Sequence, residues 1–150
     1  MIEAYAEMMP LDNTDPLQAK MIRNARKAAL ESTRWLTAQE IGELAGLTSS
    51  NPSVQASKWT RDHRIFTITR GNVVLYPAYA LDTAKGYRPV KGMRPILELF
   101  GDRKDGWGLA YWFSSVNSHL GGKRPQDLVA SQPDRVLAAA QQEIAEVAHG

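Results

Sequence analysis

Residues 37–77, TAQEIGELAGLTSSNPSVQASKWTRDHRIFTITRGNVVLYP, form the stretch that decides the fold. Thr37 and Glu40 have the spacing of a capping box: the hydroxyl accepts from the amide three residues on, and the carboxylate reaches back to the amide of Thr37. Ile41, Leu44 and Ala45 then make an apolar stripe, and Gly46 stands where a helix end favours a left-handed residue. Thr48-Ser49-Ser50-Asn51-Pro52 reads as a turn, with Asn51 as N-cap and Pro52 in the first helical position. A second helix is expected over 52–63, with Val54, Ser57 and Trp59 facing inward. Two β-rich runs follow, at 65–69 and 73–76, joined through Arg70-Gly71-Asn72 and closed by Pro77; they read as a hairpin. Two short helices and a hairpin in this order predict a helix-turn-helix followed by a wing.

In this arrangement Gln55, Lys58, Arg61 and Arg64 are left for solvent or a ligand, with Arg70 at the hairpin tip. Gln, Lys and Arg are the side chains that reach base edges and phosphates. The charge distribution points the same way. Residues 1–16 carry four acids and no base; residues 17–94 carry 13 Lys/Arg against 5 Asp/Glu; residues 95–150 carry 5 against 7. A basic middle between acidic ends localises positive charge where a polyanion would need it.

The rest of the chain organises around this centre. An acidic arm and an amphipathic helix are expected over 1–34, the helix at 17–34 with Leu17, Met21, Ile22, Ala25, Ala28 and Ala29 inward. The DNA-binding region spans 35–82. Residues 83–95, with Gly86, Pro89, Gly92 and Pro95, read as an extended basic linker. The last part, 96–150, is helical. It offers Ile96, Leu97, Leu99 and Phe100, then a solvated turn at Asp102–Gly106, then a helix over 107–120 with Leu109, Trp112, Phe113 and Val116 on one stripe. Ser131 to Asp134 has capping-box spacing and opens a last helix with Val136, Leu137, Ala140, Ile144 and Val147 inward. The fold class is mainly α: a winged helix-turn-helix-like N-terminal half with a β-hairpin, then a small helical domain.

Composition narrows the chemistry. The 150 residues include no cysteine, so no disulfide, thiolate metal site or thiol nucleophile is available. No uncharged apolar run approaches the roughly 20 residues that span a bilayer. The first residues lack the pattern of a secretory signal, and a cytoplasmic protein is expected. His63, His119 and His149 have no metal-ligand spacing, and no metal or other cofactor is expected. Ser114 and Ser115 near His119 lack a nucleophile elbow and an orienting carboxylate, so an enzyme is not expected.

One resemblance is specific. Trp112-Phe113, Asn117, Leu120-Gly121-Gly122, Arg124-Pro125, Asp127-Leu128, Pro133 and Val136-Leu137-Ala138-Ala139 resemble the toxin-binding domain of Xre/MbcA/ParS-type antitoxins. Lys58-Trp59, Asp62, Ile65-Phe66 and Leu75-Tyr76-Pro77-Ala78 resemble their DNA-binding half. The similarity covers about residues 35–145; Ala80-Leu81-Asp82 departs from the Gln-Phe-Asp the family favours. The resemblance implies an antitoxin of a type II toxin–antitoxin system. It would neutralise a RES-domain, NAD-consuming toxin by direct binding and repress its own operon by binding operator DNA, as a homodimer. Trp112, Asn117, Gly121, Gly122 and Pro125 would then be scaffold. The toxin contact is expected on the outer face of the last helix, at Arg135, Gln142, Glu143 and Glu146, and loss of residues 142–150 is expected to leave folding and DNA binding intact. The alternative is a stand-alone winged helix-turn-helix transcription regulator without a toxin partner.

Overall fold

The structure is a computed structural model that describes residues 15–47 and 51–149, the last by its backbone alone. The acidic arm over 1–14, the turn residues Thr48, Ser49 and Ser50, and the His149 side chain lie outside the described residues. The described chain is mainly helical with a small antiparallel sheet. Helix α1 (Pro16–Glu31) leads into β1 (Trp35–Leu36), α2 (Ala38–Ala45), α3 (Pro52–Arg61), β2 (Ile68–Arg70) and β3 (Val73–Pro77). A two-stranded ribbon, β4 (Leu81–Asp82) and β5 (Arg88–Pro89), precedes α4 (Met93–Phe100), α5 (Gly106–Ser114), α6 (Pro125–Leu128) and α7 (Pro133–His149).

Local signals explain most helix ends. Asp15 caps α1 by accepting from the amides of Leu17 and Gln18. The Thr37 amide donates to Glu40 Oε1 (2.8 Å) and the Glu40 amide donates to Thr37 Oγ1 (3.1 Å), closing the expected capping box. Gly46 ends α2 in the left-handed region, and Asn51 caps α3, accepting from the Ser53 amide. β3 lies between β1 and β2: Leu36 sits opposite Tyr76, Ile68 opposite Leu75, and Arg70 opposite Val73. The turn between β2 and β3 is therefore the two residues Gly71-Asn72.

Residues 83–95 differ from the extended linker expected of them. They form a 3₁₀ turn (Thr83–Lys85), strand β5 paired to β4, and the start of α4, and they bury Pro89, Val90 and Met93. These apolar side chains join one buried cluster that runs from Ala29 through Trp59, Phe66 and Tyr76 to Phe100, Phe113, Val136 and Ala140. Trp112 belongs to it at 5% exposure.

Several faces also differ from expectation. Leu17, Met21 and Ala28 are exposed, and α1 instead turns Ile22 and Ala29 inward against α5. Leu44, Val54, Ser57, Val116 and Val147 are exposed as well. Val116 is outside because the helix expected over 107–120 stops at Ser114. There the hydroxyls of Ser114 and Ser115 both donate to the Tyr111 carbonyl (3.0 and 2.6 Å), and Ser115 turns extended. A 3₁₀ turn at Ser118–Leu120 follows. The last helix opens on Pro133, one residue later than a Ser131 cap requires, so Ser131 is not its N-cap.

The capping box carries a pH signature. The Thr37 amide holds the Glu40 carboxyl below its ordinary value; burial opposes this, and the Thr37 hydroxyl and Arg34 add to it. A depressed folded-state value stabilises above the unfolded-state value and is lost as pH falls through it. The stability advantage of wild type over Glu40→Gln, read from urea midpoints, should be present at neutral pH and vanish on acidification. An equal difference at both ends of that series would contradict it.

Candidate nucleic-acid interface and C-terminal ion pairs

α2 and α3 pack at close range because Gly42 has no side chain: a Cβ there would stand 2.5 Å from Pro52 Cγ. α3 buries Ala56 and Trp59 and keeps Pro52, Gln55 and Thr60 half-buried. Ser53, Val54, Ser57, Lys58 and Arg61 form its exposed side. Of the expected contact residues, the structure thus brings Lys58 and Arg61 together on one outward stripe. Gln55 lies on the half-buried flank of α3. Arg64 is half-buried beyond the helix end, where the Arg64 amide donates to the Trp59 carbonyl and His63 takes a positive φ of 59°. Arg70 is exposed beside the hairpin turn.

Lys58, Arg61, Arg64 and Arg70 make no ion pair among the described residues, whereas Lys27, Arg34, Arg94 and Arg124 each have a carboxylate within 4 Å. The bases of α3 and the hairpin thus carry no acidic partner among the described residues, a condition they share with Lys20, Arg23, Lys85, Lys91 and Lys123. That is the electrostatic condition for neutralising phosphates.

At the other end of the chain, two of the expected contact acids have internal partners. Glu143 Oε2 is 3.3 Å from Lys104 Nζ, and His119 Nε2 donates to Glu146 Oε1 at 2.8 Å. The outer face of α7, expected to be free of intramolecular tasks, is free only in part. Gln142 is exposed, and Arg135 is exposed with its guanidinium on Gln132 Oε1 (2.8 Å). Sequence reading missed Lys104 altogether, placing it in a solvated turn; its side chain is 5% exposed and lies over the Phe100 ring. Glu143, its partner, is 39 residues away, so no local pattern announces the pair. Phe100, Lys104, Glu143, Ile144 and Val147 line a cleft of about 270 Å³.

The motif residues are engaged within the chain. The Asn117 side chain accepts from the His119 amide (2.9 Å), and its backbone bonds Lys123 and Gly122 across the loop. Gly121 and Gly122 have φ of 64° and 81°, open to glycine at little cost. Pro125 starts α6, where Arg124 holds Asp127 through two hydrogen bonds. Ser114 and Ser115 spend their hydroxyl protons on the Tyr111 carbonyl, and His119 faces Glu146 rather than either serine. Among the described residues no three His, Asp or Glu cluster as a metal site would, and no helix is long and apolar enough to cross a membrane. No protein-family model, curated protein or solved structure matches the chain significantly.

Removing Glu143 takes away one of the groups that compensate the buried charge of Lys104. Glu143→Ala should destabilise by about 2–3 kcal/mol, less than the roughly 3–5 kcal/mol of a fully buried pair because Glu143 is partly exposed. Deleting residues 142–150 should lower the melting temperature for the same reason, contrary to the expectation of a dispensable tail. Unchanged thermal melting of Glu143→Ala would show that Lys104 is held by its other neighbours.

Proposed function

We propose that the chain is a DNA-binding antitoxin. It reads operator DNA with a winged helix-turn-helix formed by α2, α3 and the β2–β3 hairpin, and it binds a RES-domain toxin through its C-terminal helices. The observation that carries the reading is the order α1–β1–α2–α3–β2–β3 with β3 between β1 and β2. In this order α3 packs on α2, α2 packs on β1 and β3, and Lys58 and Arg61 are left outward without acidic partners among the described residues. The resemblance extends this reading to repression of its own operon by a homodimer, which would set two such modules on paired half-sites. The C-terminal role rests on the resemblance, and it is supported by the scaffold roles of Trp112, Asn117, Gly121, Gly122 and Pro125. Arg135 and Gln142 remain outward for a partner.

The engagement of Glu143 and Glu146 within the chain favours a second reading, a stand-alone regulator of the same fold. Co-expression separates the two. An antitoxin should restore growth to cells making its cognate RES-domain toxin, and failure to restore growth leaves the regulator.

The DNA-binding half has its own test. Titrations of promoter DNA over a salt series should show that Lys58→Ala and Arg61→Ala each flatten the slope of log affinity against log salt by about one unit. Unchanged slopes in both would remove α3 from the interface.

A further inference from the structure

Val54 has the side chain that hydrophobic patterning assigns to the interior, and the structure turns it out: it is 65% exposed in the first turn of α3. Single exposed valines are ordinary on protein surfaces, so its neighbours decide what it means. Positions 54, 57, 58 and 61 recur at helical spacing, and all four are exposed. Along this stripe the N-terminal side chains are short: Ser53, Val54 and Ser57. The C-terminal ones, Lys58 and Arg61, are long and cationic. No acid occurs anywhere from Pro52 to Arg61.

This gradient has a geometric meaning. A helix with its side chains is about 10–12 Å across and the major groove of B-DNA about 12 Å wide, so the helix backbone comes nearest the groove floor where the side chains facing it are short. Recognition helices bring their N-terminal residues to the base edges. The group on that floor suited to an aliphatic side chain is the 5-methyl of thymine, while the long cations further along suit phosphates.

Resting on the DNA-binding reading above, we infer that Val54 determines specificity by packing against a thymine 5-methyl group in the major groove, with Lys58 and Arg61 holding the backbone. Selection by the full chain from a duplex library with a randomised core gives the target sequence. Fluorescence anisotropy then compares that duplex with copies in which each thymine in turn is replaced by deoxyuridine, which lacks only the methyl. For wild type, replacement at one or more positions should weaken binding about three- to five-fold, the worth of one buried methyl. Val54→Ser should lose a similar factor on the thymine duplex and show no further loss with deoxyuridine. Val54→Thr, which keeps a methyl, should retain the sensitivity. Because Val54 is exposed, thermal melting of both variants should match wild type. A Val54→Ser protein that still pays the full deoxyuridine penalty overturns the inference and leaves DNA binding standing, as does a selected sequence indifferent to every thymine methyl. A wild type that binds no duplex at low salt overturns both.

Discussion

The stacking of Phe66 on Phe113 is the contact on which the rest of the molecule depends. Their centroids are 5.6 Å apart and their planes 16° from parallel, and the pair joins the segment after α3 to the last turn of α5. Trp35 meets Phe66 edge-on, and Tyr79 packs on both Phe66 and Phe113, so β1 and the segment after β3 are drawn into the same cluster. The approach of α5 depends on Gly106, where a Cβ would overlap the Thr67 carbonyl. The cluster also bears a cost. Tyr79 Oη and Trp112 Nε1 are buried with no partner among the described residues, and burial holds the Tyr79 phenol well above its ordinary value. Each such orphan costs about 1–3 kcal/mol, a cost that the apolar area of four interlocked rings can offset.

Polar contacts then fix α1 on this frame. Gln126 accepts from Ser32 Oγ and donates to the Ser32 carbonyl, and the Trp35 indole donates to the Ala29 carbonyl. Arg26 lies 4.9 Å over the Trp107 ring. An N-terminal helix is thereby tied to α5 and α6, the elements that present the Asn117–Gly122 loop and lead into α7. The candidate DNA-binding face and the candidate partner-binding face are built on the same supports.

What was legible in the sequence was whatever is decided within a few residues. The Thr37–Glu40 box, Gly46, the Asn51 cap, the Gly71-Asn72 turn and the Asn117 loop all belong to this kind, because their partners lie within about five positions. Burial of one helix face against another is decided elsewhere in the chain, and there the reading was partial. α1 has apolar residues on more than one side, and Trp107 together with Gln126 selects the side with Ile22 and Ala29. Val54 and Trp59 both looked like core, but a ten-residue helix with so few apolar positions does not define one face. Residues 83–95 looked like a connector because glycine, proline and lysine dominate them; Val90 and Met93 bury themselves all the same. The Lys104–Glu143 pair was invisible because it exists only once α7 has folded back over the end of α4.

The shared core gives the two surfaces a common fate. Val136 and Ala140 of α7 belong to the same buried cluster as Ala56 and Trp59 of α3. A protease that cuts after α7 opens therefore acts on a chain whose α3 has lost part of its backing. A ligand bound at either surface of the folded chain draws the equilibrium away from such openings, by an amount that grows with the logarithm of its concentration. The lifetime of the molecule in a cell is thus written into its packing. Occupancy at one end prolongs the survival of the other, and turnover, once begun, removes both together.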